Sequence, residues 1–107
     1  MKLPLSFLAI AFATAAYAQN LCSTVPSDVL RQVSEMQTFN NRVPPPSSTN
    51  TVDCTNGKSL KKGIDAYRSA LIANPSSGCL TIYSQTVLTS GFNAQYTILG
   101  KFVAACP

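Results

Sequence analysis

The stretch CLTIYSQTVLTSGFNAQYTILGKFVAAC, residues 79–106, decides the fold class, because most of what precedes it reads as helix or linker. Its apolar residues follow a period of two. Leu80 and Ile82, then Val87 and Leu88, approach the turn-like Ser90-Gly91-Phe92-Asn93, and Tyr96, Ile98 and Phe102 lead away from it. Alternation closing on a glycine-containing turn predicts a β-hairpin, with Gln85 and Gly100 as the positions for a bulge.

Working back from this hairpin, a helix is predicted from Lys58 or Ser59 to Ala73, stopping before Asn74-Pro75, where proline disfavours a helical predecessor. Leu60, Ile64, Tyr67 and Leu71 recur at helical spacing and mark the core face. Lys58, Lys61, Lys62, Asp65 and Ser69 share the opposite face, and Ile72 falls among them. Just upstream, Thr51 to Thr55 reads as a short strand ended by an Asn56-Gly57 turn.

Further back, a first helix is predicted from Ser27 to Asn41. Ser27 is the N-cap, Pro26 precedes it and Asp28 lies in the first turn, where a carboxylate suits the helix dipole. Val29, Leu30, Val33, Met36 and Phe39 form the expected core side, against Arg31, Ser34, Glu35 and Thr38. Arg42 to Asn50, with Pro44, Pro45 and Pro46 in succession, reads as an extended spacer. The expected architecture is therefore α+β: two helices packed on a mainly antiparallel three- to four-stranded sheet.

The N-terminus sets the compartment. Lys2, the apolar run from Leu5 to Ala13 and the small-x-small site Ala16-Tyr17-Ala18 match a secretory leader over residues 1–18, leaving one domain over 19–107. The apolar run is shorter than the roughly 20 residues that a bilayer span requires. A domain of this size buries only about 60–65% of its unfolded surface and benefits from covalent staples. Cys22, Cys54, Cys79 and Cys106 supply an even number of thiols in an exported chain, so two disulfides are expected. Three connectivities are open. The hairpin would place Cys79 and Cys106 at one edge, and Cys54 with Cys79 is the least comfortable pair, since a whole helix separates them.

The residue inventory limits the chemistry. There is no histidine and no Cys-x-x-Cys pair, which argues against a zinc site and against any bound metal or other cofactor. Without histidine there is also no proton shuttle for a serine or cysteine nucleophile. Asp28, Glu35 and Asp65 fall on polar helix faces, which does not suit a carboxylate pair converging in a cleft. No enzyme is expected. The net charge of +4 is too thinly spread to read as a nucleic-acid surface. Lys58, Lys61 and Lys62, however, crowd the expected first turn of the second helix, where cations oppose the dipole. Broken local preferences tend to mark function, so these lysines are the candidate anion-binding group, facing an anionic membrane or polysaccharide surface.

An alanine-rich leader ending Ala16-Tyr17-Ala18, a short mature chain, four widely spaced cysteines ending at Cys106 and no catalytic set together resemble the small secreted cysteine-rich effectors of filamentous fungi. Within them the chain resembles the killer-toxin-like effectors, whose fold combines two helices with a four-stranded antiparallel sheet. The resemblance implies a secreted, extracellular, virulence-associated protein without enzymatic activity that binds a host or cell-wall component. The alternatives are a killer-toxin-like antimicrobial protein acting on competitor membranes and a small carrier with an apolar pocket.

Overall fold

The computed structural model describes the backbone of residues 2–43 and 51–107, with side chains from Cys22 onward except at Ser76. Among the described residues the chain is helical throughout: α1 spans Lys2–Arg42, α2 Thr51–Ile72, α3 Cys79–Thr89 and α4 Phe92–Ala104, with a 3-10 turn at Pro75–Ser77 before α3. No strand occurs among them, so the expected sheet, and with it the architecture implied by the killer-toxin resemblance, is replaced by a helical bundle. The side chains of residues 1–21, where the leader is expected, and positions 44–50 of the expected spacer lie outside the described residues.

The hairpin expectation fails in its arms; of the expected turn only Ser90-Gly91 is a turn, and Phe92 and Asn93 open α4. Gly91 has a φ of 82°, a left-handed conformation that glycine adopts at no steric cost, and it reverses the chain between α3 and α4. Gly78, at φ 79°, does the same between the 3-10 turn and α3. The arms are helices because their apolar residues also satisfy the helical period. Cys79 and Tyr83 are buried on α3, as are Phe92, Leu99 and Phe102 on α4. Partly buried Leu80, Ile82 and Val87 complete one stripe, and Tyr96, Val103 and Cys106 complete the other. Thr, Ile, Tyr and Val raise strand propensity, but burying these stripes against α1 and α2 outweighs it.

The expected strand at Thr51–Thr55 is the first turn and a half of α2, and Asn56-Gly57 is helix interior, not a turn. Gly57 has a packing reason. A Cβ built there would lie 2.9 Å from Phe39 Cζ and 3.2 Å from two Phe102 ring atoms. Phe39 and Phe102 meet edge to face, with centroids 5.2 Å apart, and the bare backbone of Gly57 closes over them. The predicted core face of Leu60, Ile64, Tyr67 and Leu71 packs into the interior, and α2 ends just ahead of Asn74-Pro75.

On α1 the helix continues through Pro26 and Ser27 instead of starting there. The Ser27 hydroxyl donates back to the Thr24 carbonyl at 2.9 Å rather than capping a helix N-terminus. At about 100° per residue, the buried stripe is Val25, Val29, Gln32, Met36 and Phe39. Leu30, expected on the core side, is 54% exposed. Asn40 fastens the end of α1 to α4, its Nδ2 donating to the Gln95 backbone carbonyl at 3.1 Å and to Gln95 Oε1 at 2.9 Å.

Two disulfides bolt the bundle. Cys22 on α1 joins Cys79 at the start of α3, with Cα atoms 4.9 Å apart, and Cys54 on α2 joins Cys106 just after α4, at 5.8 Å. Cys79 and Cys106, expected to lie together on neighbouring strands, belong to different bridges because α3 and α4 are helices whose far ends carry them. The sequence separations of 57 and 52 residues make the closed loops long and interleaved.

Candidate functional site

The interior of the bundle opens between α2, α3 and α4 into a cavity of about 370 Å³. Its floor is aromatic. Phe92, the first residue after the Gly91 turn, and Tyr96 one helical turn later stack at 5.6 Å with rings 14° apart. Tyr83 of α3 meets the Phe92 ring edge-on at 6.2 Å, and Tyr67 of α2 continues the row at 6.0 Å from Tyr83. Tyr83 and Phe92 are nearly covered, at 4% and 5% exposed, so the partly exposed Tyr96 ring offers most of the aromatic surface, and the tyrosines add polar hydroxyl tips. Ile64 and Val87 add aliphatic wall, and Leu88 stands at the mouth with 76% of its surface exposed.

One wall is charged. The Tyr96 hydroxyl donates to Asp65 Oδ1 at 2.5 Å, and the Lys61 ammonium donates to Asp65 Oδ2 at 2.9 Å while lying 5.4 Å from the Tyr96 ring centroid. Burial alone would push the Asp65 carboxyl up, but the hydrogen bonds from Tyr96 and Lys61, with the charges of Lys61 and Arg68, hold it below its ordinary range. The hydrogen bond to Asp65 pushes Lys61 up. Burial, then the bond to Asp65, pushes Tyr96 up, and burial does the same to Tyr83. Each of these groups therefore stays in its ordinary form at neutral pH, which suits a fixed electrostatic wall better than proton transfer.

Arg68 completes the rim. It is exposed, lines the same cavity and makes no ion pair with a described carboxylate; Arg31 and Lys61 hold the three ion pairs of the described residues. Ser84 and Asn93 add uncharged polar groups beside it.

A second polar join stands on the other side of Tyr67. Its hydroxyl donates to Asp28 Oδ2 at 2.9 Å, and Arg31 grips Asp28 Oδ1 at 3.0 Å, which ties α1 to α2. Burial, followed by the neighbouring Asp28 carboxylate, raises Tyr67 well above the ordinary phenol range.

The lysines read as an anion-binding group take a different setting. Because α2 begins at Thr51, Lys58, Lys61 and Lys62 sit in its interior, beyond the first turn in which a helix dipole acts. Asp53 occupies that first turn instead. Lys58 donates to the Pro107 carbonyl at 3.1 Å and Lys61 is held by Asp65, while Lys62 is exposed. The three do not converge on one pocket; only Lys61 borders the aromatic cavity, through Asp65 and Tyr96. All four cysteines are in disulfides, and no cluster of metal-binding side chains occurs among the described residues.

Sequence reasoning missed Tyr83, Phe92, Tyr96 and Arg68 as a group. Three helices contribute them, so no local spacing announces them; the nearest signal was the i, i+4 pair Phe92 and Tyr96. It also passed over Gln32, the one polar residue in the buried stripe of α1. No protein-family model, curated protein or solved structure matches the chain.

Proposed function

We propose that this chain is an exported, non-catalytic binding protein that takes a small amphipathic ligand, an aromatic or alkyl body bearing one acidic group, in the cleft between α2, α3 and α4. The observation that carries the proposal is Arg68: an arginine that makes no ion pair with a described carboxylate, at the mouth of a cavity floored by Tyr83, Phe92 and Tyr96. A volume of about 370 Å³ lies in the range of roughly 300–1,000 Å³ typical of small-molecule sites. The rings would cover the ligand's body while the guanidinium met its acid. The leader pattern of residues 1–18 and the two disulfides support work outside the producing cell, where a ligand of host or cell-wall origin would be met. An extracellular effector role, as in the fungal proteins that the sequence resembles, is compatible with this chemistry and does not depend on the sheet. No helix among the described residues is long and apolar enough to cross a membrane.

Titration of the oxidised protein with 4-phenylbutyrate and with 4-phenylbutan-1-ol, followed by amide chemical shifts, tests this. The two probes share a body and differ in the acid. Burying such a body offsets the cost of association only modestly, so a Kd on the order of 100 µM is expected for the acid. An exposed ion pair is worth up to about 1 kcal/mol, so Arg68→Gln should weaken phenylbutyrate about fivefold and leave the alcohol unchanged. Absence of shifts at residues 83, 92 and 96, or equal weakening of both probes, would overturn the proposal.

A further inference from the structure

An acid and an apolar body leave part of the cleft mouth without a role. Leu88 stands there 76% exposed, more than any other large apolar side chain among the described residues. A single exposed leucine needs no explanation on an ordinary surface, but this one extends the apolar lining of a cavity outward. Ser84 lies four residues earlier on α3, so it shares one face of that helix with Leu88, and Asn93 comes from the first turn of α4. Like the Arg68 guanidinium, the side chains of Ser84 and Asn93 make no hydrogen bond or ion pair with a described residue. Three exposed polar groups without protein partners, one from each of three helices, therefore meet around a single cavity.

Their chemistry narrows the ligand class. A guanidinium offers a fork of donors that matches a carboxylate. A serine hydroxyl and an asparagine carboxamide both donate and accept, which matches the N–H and C=O of an amide. Lys61 and Arg68 set two positive charges against the one carboxylate of Asp65, so a further cation is opposed there. A free amino acid would bring such a cation as its ammonium group, whereas an acylated one brings a neutral amide. The carbon beside a polypeptide's terminal carboxylate carries the acid, a side chain and an amide that leads to the preceding residue. With the acid at Arg68 and the side chain against Tyr96, the amide falls to Ser84 and Asn93 and the preceding residue to Leu88. Building on the ligand reading above, we infer that the cleft takes the C-terminal end of a partner polypeptide, whose last residue is aromatic or aliphatic and whose preceding residue is apolar.

The test is titration of the oxidised protein, followed by amide chemical shifts, with acetyl-L-leucyl-L-phenylalanine, its C-terminal amide, its D-phenylalanine isomer and 4-phenylbutyrate. The extra apolar contact and the three-point attachment should make the dipeptide acid bind about fivefold tighter than each of the other three probes, with shifts reaching residues 84, 88 and 93. Leu88→Ser, at an exposed position that leaves the fold intact, should weaken the dipeptide about threefold more than it weakens phenylbutyrate. The inference is overturned if phenylbutyrate binds and the dipeptide binds no tighter, if the two isomers bind alike, or if Leu88→Ser weakens both probes equally. Each of those results would leave a free small acid as the ligand and the broader reading of the cleft standing. If neither phenylbutyrate nor the dipeptide binds, that broader reading falls and this inference falls with it.

Discussion

The two ends of α2 are built to opposite specifications. At its N-terminal end Cys54 is bolted to Cys106, and Gly57 lies so close to Phe39 and Phe102 that a single methyl group would collide. At its C-terminal end, from Ile64 to Leu71, the same helix borders three cavities of about 290 to 370 Å³, and among the side chains lining them are Tyr67 and Tyr96, each held by a carboxylate. One end is closed by contact and covalent bond. The other leaves space lined with hydrogen-bonded rings. A small helical domain has too little core to be loose everywhere, so closure at one end is what allows openings at the other.

The largest break in this contrast comes from removing a bolt. In the chain-entropy picture a disulfide closing a loop of about 50 residues contributes on the order of 4 kcal/mol. Replacing Cys54 and Cys106 together by serine should therefore remove about 4 kcal/mol of stability in urea unfolding. Because the bridge holds the closed end, amide exchange should rise first around Phe39, Gly57 and Phe102. A loss confined to the aromatic cleft would show that the two ends are not mechanically distinct.

The next effect compares two glycines in one helix. Gly57→Ala places a methyl 2.9 Å from Phe39 Cζ, and forcing the rings apart should cost about 1–3 kcal/mol. Gly63→Ala meets open space and removes a mid-helix glycine, so it should gain about 0.5–1 kcal/mol. Opposite signs, measured as shifts in the urea midpoint at constant m-value, support the contrast. The same sign at both positions would remove it.

How much of this was legible in the sequence depends on the length of each pattern. The stripe Leu60, Ile64, Tyr67 and Leu71 spans three helical turns, and a period that long admits one reading; Asn74-Pro75 then marks its end. The segment 79–106 was misread because its Ile, Tyr, Thr and Val favour strands and because Leu80 and Ile82 alternate by chance. The more telling spacing was Phe92, Tyr96, Leu99, Phe102 and Cys106, which keeps to one helical face for over three turns. The turn at Gly91 was legible, since a left-handed glycine serves a helical hairpin as readily as a β-hairpin. Asn56-Gly57 carried a turn signal, yet the glycine is there for two rings that lie 18 residues upstream and 45 downstream, a relation that no local window contains. The misplaced start of α2 followed from that dipeptide, and the lysine argument followed from the misplaced start. The cleft was illegible for the same reason as Gly57: its parts meet only once three helices are packed.

The smallest expected effect probes the charged wall itself. Tyr96→Phe deletes the hydrogen bond to Asp65 Oδ1 but leaves Lys61 on Oδ2, so the loss at neutral pH should be only about 0.5–1 kcal/mol. Its pH dependence is more informative than its size. Asp65 is held below 3.8 in the folded protein, so its contribution is present above that pH and is lost as pH falls through the depressed folded value. Tyr96 is raised above 10.0, so the folded state keeps its proton longer than the unfolded chain; that contribution is present below pH 10.0 and is lost as pH rises through the folded value. Tyr96→Phe should therefore flatten the stability profile on both flanks, leaving on the alkaline side the slopes owed to Lys61, which Asp65 still raises, and to Tyr67 and Tyr83, which burial raises. A variant whose profile parallels the parent from pH 3 to pH 11 would mean that the Asp65–Tyr96 bond is not held in solution, and the open end of α2 would then lack the rigid wall that distinguishes a binding cleft from a packing gap.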